Sequence, residues 1–163
     1  MEPIFSAIVP APFGAVGIAT AGGCVTEIVF LPPGTAGLAP ADPLADRAFR
    51  QIERYFADPD TDFSLPLRPQ GSPFRQRVWQ AIATIPRGET RCYGELARAL
   101  GSAARAVGQA CGDNPFPLVI PCHRVIAAAG PGGFAHHRGG FLLDTKRWLL
   151  AHEAPGPFAE CRD

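Results

Sequence analysis

Tyr93-Gly-Glu-Leu-Ala-Arg-Ala-Leu-Gly-Ser-Ala-Ala-Arg-Ala-Val-Gly-Gln-Ala-Cys111 holds two short helical patterns separated by a turn signal. In the first, Tyr93, Leu96, Ala97 and Leu100 recur at i, i+3, i+4 and i+7, one face of an amphipathic helix. Gly101-Ser102 breaks the pattern, and a second helix is expected over Ala103 to Cys111, with Ala104, Val107 and Cys111 on one face. Two short helices across a glycine-containing turn are the pattern of a helix-turn-helix. Many such pairs only pack a core, so the motif alone does not assign DNA binding.

Upstream, Ser72-Pro73 offers an N-cap followed by proline at the first helical position. Phe74, Val78, Ala81 and Ile82 supply the buried face of that helix, and Pro86-Arg87-Gly88 ends it. Downstream, Asn114-Pro-Phe-Pro117 leads through Leu118-Val119-Ile120 into Pro121-Cys122-His123-Arg124-Val125. A glycine-rich loop follows from Gly130 to Gly140, then a helix over Thr145 to Glu153. Near the start of the chain, Ile4–Val9, Ala15–Ala19 and Val25–Phe30 read as strands of an antiparallel meander. A helix from Leu44 to about Ala57 and a short strand over Phe63–Leu67 complete that region. The expected class is mixed α/β (α+β): residues 1–70 a small sheet-plus-helix domain, 71–155 a mostly helical domain packed on it, and 156–163 a tail.

The chain has 163 residues, with 15 basic and 15 acidic side chains and 47% hydrophobic content. That zero balance argues against broad phosphate binding, so any nucleic-acid surface must be local. No run approaches the ~20 apolar residues of a membrane span, and no basic-then-apolar leader is seen. A cytoplasmic protein without a membrane partner is the expectation. The five cysteines show no paired short spacing, so no metal site is indicated.

Cys122-His123 is the chemical feature. A thiol attacks as its thiolate, and a neighbouring imidazole can take the proton directly or through water. Adjacent residues of an extended chain point to opposite faces, so cooperation needs a bend, for which Pro121 is suited. Taken alone, such a dipeptide is more often a buried thiol beside a surface histidine.

The surrounding motifs decide otherwise. Gly71-Ser-Pro-Phe with Trp79, Ile85-Pro86 with Gly88-Glu89-Thr90, Tyr93-Gly-Glu-Leu96-Ala97, Arg105-Ala-Val-Gly108, the Asn114–Val125 run and Lys146 to Glu153 occur in one order. Together they resemble the O6-alkylguanine-DNA alkyltransferase family over about residues 71–153, with a weaker match before Gly71. The resemblance implies a ribonuclease H-like N-terminal domain and a helix-turn-helix in the second. It implies irreversible, single-turnover transfer of a methyl or larger alkyl group from O6-alkylguanine in double-stranded DNA to Cys122. O4-alkylthymine stays open as a second substrate, no cofactor is implied, and a monomer is expected.

By the same resemblance, His123 deprotonates Cys122, Glu153 orients His123, Tyr93 donates to guanine N3, and Asn114 holds the hinge before the cysteine segment. Arg105 would fill the space left by a flipped-out nucleotide, since chemistry on a stacked base requires its extrusion. Two residues from Val107, it lies about 200° round the helix from that buried position. Ala103, Ala104, Ala106 and Gly108 would let the helix enter a narrow minor groove. Arg124 joins the DNA-contacting set, alongside the local arginines Arg75, Arg87, Arg91 and Arg98. Val125, Gly133, Phe134 and Lys146 would line the base pocket. The Ala135–Thr145 segment is longer than the family's usual loop, which leaves the alkyl sizes accepted undecided; His136 and His137 within it read as surface loop residues.

Three rivals have distinguishable signatures. A recognition protein of the same family lacks the acceptor cysteine, whereas Cys122, His123 and Glu153 are all present. A cysteine hydrolase would turn over an acyl substrate and leave the helix pair unexplained. A fused transcription regulator would need more chain than this.

Overall fold

The computed structural model describes residues 4–127 and 140–154, and the chain divides into two compact units, Met1–Pro69 and Gln70–Asp163. In the first unit, β1 (Ala7–Ala11), β2 (Gly14–Ala21) and β3 (Cys24–Leu31) form an antiparallel sheet in the order β1-β2-β3. The expected meander is present, with Ala7 opposite Ile18 and Val16 opposite Phe30. The first strand begins later than expected, and Ile4 is exposed. Helix α1 (Pro43–Ala57) buries Ala45, Ala48, Ile52 and Tyr55, one 3.6-residue stripe, and packs on β1 and β2. Asp42 caps it, accepting from Ala45 N at 2.8 Å and from Thr20 Oγ1 of β2 at 2.7 Å. The strand expected over Phe63–Leu67 is reduced to one parallel bridge between Val25 and Leu67. Pro66 and Pro69 have no N–H for a ladder, which is why pairing stops there.

In the second unit, α2 (Pro73–Ala83) starts at Ser72, whose hydroxyl accepts from Arg75 N at 3.2 Å. The short β4 (Arg91–Cys92) leads into α3 (Tyr93–Leu100), and α4 (Ala104–Gly112) follows after a tight turn. Gly101, at φ 65°, ends α3 in the left-handed region that glycine enters without a Cβ penalty. Helices α2, α3 and α4 pack together, and Trp79 Nε1 donates to Ala110 O at 2.8 Å. Gly71, at φ 89°, lets the chain pass the Trp79 ring, which an added Cβ would meet at 2.6 Å.

A single 3₁₀ turn over Cys122–Arg124 precedes β5 (Val125–Ile126). β5 pairs in parallel with β4, Arg91 opposite Val125 and Cys92 opposite Ile126. Two residues per strand are too few for a recognisable alternation, so this pair was not legible in the sequence. Helix α5 runs Gly140–Glu153, five residues earlier than expected. The half-buried Phe141, Leu142 and Leu143 belong to its first turns, where the preceding glycines suggested loop. No described helix is long and apolar enough to cross a membrane.

Candidate active site

The β4–β5 pairing sets the site. It joins the start of α3, where Tyr93 sits, to the strand that follows the Cys122–Arg124 turn. The turn supplies the bend that two adjacent residues need to serve one centre, and Cys122, His123 and Arg124 are all buried.

Two groups hold the Cys122 sulfur. Asn114 Nδ2 donates to Sγ at 2.6 Å and to Ile120 O at 2.9 Å, while Asn114 Oδ1 accepts from Phe116 N at 2.9 Å. One amide side chain thus joins the end of α4 to the cysteine segment. The thiol itself donates to Cys111 O at 3.6 Å, on the last turn of α4. Between them lies Leu118, buried and at φ 76°, a left-handed conformation unusual for a branched side chain.

His123 lies wholly inside, with Nε2 2.9 Å from Glu153 Oε2. A carboxylate accepts, so the Nε2–H tautomer donates and Nδ1 keeps its lone pair. Nδ1 has no hydrogen-bond partner among the described residues. Burial pushes the imidazole below the ordinary histidine value, against the pull of Glu153. The ring is therefore neutral at neutral pH, with a buried acceptor nitrogen.

Arg124 differs from its expected place. Its Nε donates to Glu153 Oε1 at 2.9 Å, one terminal nitrogen to Oε2 at 3.0 Å and the other to Ile85 O at 2.7 Å. With only 8% of the residue exposed, this guanidinium is not a phosphate contact but a two-pronged clamp on Glu153. Glu153 thus serves two adjacent residues. The sequence signal was the juxtaposition His123-Arg124, two donors requiring one buried acceptor.

Lys146 is fully buried; its ammonium donates to Val125 O at 2.7 Å and lies 5.8 Å from the centre of the Tyr93 ring. Burial lowers its pKa to about 8. Tyr93 is half-buried, and burial first, then the neighbouring Cys111 and Cys122, push its phenol well up, so it stays protonated. Val125 is buried beside this group. Gly133 and Phe134, with His136 and His137, lie outside the described residues.

On α4, Ala103, Ala104 and Arg105 are exposed, Ala106 and Gly108 partly so, and Val107, Ala110 and Cys111 are buried. A Cβ added at Gly108 would meet nothing within 4 Å. The outer face of α4 is thus mostly small residues, with Arg105 and Gln109 as its long side chains. Cys111 is the residue whose position sequence reasoning missed: it was read only as a buried helix residue, yet its carbonyl oxygen accepts from the Cys122 thiol and its own thiol is buried at the same centre. No cluster of three or more metal-ligating side chains occurs among the described residues.

Residues 73–155 match the family model for the 6-O-methylguanine DNA methyltransferase DNA-binding domain. A methylated-DNA–protein-cysteine methyltransferase of Mycolicibacterium paratuberculosis is 51% identical over 108 residues, 65% of this chain and 63% of that protein, under two thirds of its length. One of Mycobacterium bovis is 40% identical over 151 residues, 89% of each chain. The crystal structure of Mycobacterium tuberculosis O6-methylguanine methyltransferase superposes with a TM-score of 0.73 at 37% identity, over 92% of this chain and 93% of that one. The Mycobacterium tuberculosis OGT solved in complex with DNA gives 0.72 at 38% identity, over 92% and 93%. By both the matched domain and the length of the match, the chain belongs to the 6-O-methylguanine DNA methyltransferase family.

Proposed function

We propose that this chain repairs DNA by moving an alkyl group from the O6 of guanine onto Cys122 and is consumed in doing so. The observation that carries the assignment to Cys122 is the buried arrangement around it: an amide N–H aimed at the sulfur, and a neutral histidine whose acceptor nitrogen has no partner among the described residues.

The Cys122 proton passes to His123 Nδ1, directly or through a water, and Glu153 stabilises the imidazolium that results. Arg124 is a positioning residue that fixes Glu153. The sulfur attacks the alkyl carbon in line, the carbon–O6 bond breaks, and the departing purine gains electron density. Tyr93, protonated and near the thiols, donates to N3 to offset that charge. Asn114 keeps the sulfur in register with α4. Among the described residues no group is arranged to hydrolyse the resulting thioether, so one chain repairs one lesion.

Helices α3 and α4 act as a helix-turn-helix whose second helix lies in the minor groove, its small residues allowing close approach and Arg105 replacing the extruded nucleotide. Val125 and Lys146 line the base pocket. The N-terminal unit is assigned a ribonuclease H-like fold, the working form is a monomer in the cytoplasm, and no cofactor or metal is assigned. Titrating the protein with duplex DNA bearing isotopically labelled O6-methylguanine tests this reading. Label transfer should plateau at one methyl per chain; continued turnover beyond one equivalent would overturn it.

A further inference from the structure

The proposed reaction uses one of the two thiols at the centre. Cys111, also buried and also a free thiol, lies beside Cys122, whose Sγ is 3.6 Å from the Cys111 carbonyl oxygen. That contact sets the Cys122 sulfur against Cys111 itself, and with both thiols buried and free it gives the neighbourhood in which a sulfur–sulfur bond can form. A buried pair of this kind needs a small oxidant, because Cys122 is only 4% exposed.

We propose that Cys111 is a resolving thiol, which captures peroxide-oxidised Cys122 as a reversible Cys111–Cys122 disulfide and so keeps the acceptor from irreversible oxidation. Cys122 attacks one oxygen of hydrogen peroxide; the sulfur–oxygen bond forms, the oxygen–oxygen bond breaks, and the released hydroxide leaves as water with the thiol proton. The Cys111 thiol then attacks the sulfenic sulfur, forming the disulfide and expelling a second water that carries its own proton. Two thiols lose two electrons, and one peroxide becomes two waters. Without a nearby thiol, a sulfenic acid proceeds to sulfinic and sulfonic acids.

The environment gives the two cysteines their order. Cys122 is the attacker because Asn114 donates to its sulfur and His123 stands next to it as a base, and the interaction with Cys122 together with burial holds the Cys111 thiol up as the reserve. Oxidation of Cys122 removes the group that opposes ionisation of Cys111, and Lys146 favours the Cys111 thiolate. The consequence for repair rests on Cys122 being the alkyl acceptor; the disulfide itself does not.

The test treats the full-length chain and its Cys111→Ser and Cys111→Ala variants with hydrogen peroxide, then with dithiothreitol. Methyl acceptance is normalised to each protein's value before oxidation. The unmodified chain should lose acceptance, yield a linked Cys111–Cys122 peptide on non-reducing mapping, and recover most of its acceptance on reduction. Both variants should accumulate sulfinic acid at Cys122 and recover several-fold less. Equal recovery in chain and variants, or Cys122 bonded to any other cysteine, would overturn the proposal. Failure of the untreated chain to accept methyl would instead strike the repair reading, leaving the peptide linkage as the readout for this one.

Discussion

At the scale of single residues, the site is an accounting of buried charge. Arg124 and Glu153 cancel, and His123 stays neutral between them. Removing one partner of a buried pair leaves an uncompensated charge, at a cost of roughly 3–5 kcal/mol. Glu153→Gln should therefore lower stability by about that amount, measured by urea unfolding, as well as slowing transfer. His123→Ala should slow transfer about 10²–10⁴-fold, the range of a lost general base, with DNA affinity nearly unchanged. The pH dependence has a definite sign. The folded pKa of His123 lies below its unfolded value of about 6.5, so the unfolded state takes up protons first as pH falls. Its contribution to stability is present above pH ~6.5 and is lost as pH falls through the lower folded value. The base is likewise competent down to that lower value, so the acid limb of the transfer rate should fall below pH 6.5 and vanish in His123→Ala. An acid limb at or above pH 6.5 would contradict the burial argument.

At the scale of elements, α4 has one face for the core and one that the proposal gives to DNA. Because a Cβ at Gly108 meets nothing, Gly108→Ala should raise stability by about 0.5–1 kcal/mol through helix propensity. Gly108→Phe should fold equally well yet bind duplex DNA several-fold more weakly, as measured by fluorescence anisotropy; unchanged affinity would remove α4 from the groove. The turn before it is a different case: Gly101→Val should cost at least about 1 kcal/mol, since φ is 65° there. The elements that repeat a period over several turns were legible in the sequence: the meander, α1, and the α3–α4 pair with its glycine. Short or punctuated ones were not. The β4–β5 pair is set by tertiary contact alone, the prolines around Leu67 outweighed its strand pattern, and α5 was shortened by the glycines that open it. The site divides the same way. Neighbours in sequence revealed Cys122 and His123, and the family resemblance brought in Glu153, Tyr93 and Asn114. Arg124 was misread because an arginine beside a nucleic-acid site looks like a phosphate contact until its buried carboxylate partner is located. Cys111 went unnoticed because its meeting with Cys122 depends on how α4 and the cysteine segment pack.

At the scale of the whole molecule, zero net charge and the proposed DNA binding are reconciled by a local surface, the one face of α4 that carries Arg105. Affinity for undamaged duplex should be modest and fall with salt, and Arg105→Ala should weaken binding to lesion-bearing duplex more than to intact duplex. A uniform loss on both would make Arg105 a phosphate contact rather than an occupant of the extruded nucleotide's place. The residues proposed as nucleophile, base, orienting carboxylate and proton donor, Cys122, His123, Glu153 and Tyr93, all lie in the unit Gln70–Asp163. The central claim is that the alkyl group ends on Cys122 and stays there. Intact-protein mass followed by peptide mapping, after incubation with duplex carrying one O6-methylguanine, tests that claim most directly. The peptide containing Cys122 should gain one methyl group, with none gained in Cys122→Ala. A methyl group on any other residue, or lesion binding with no gain in mass, would contradict it.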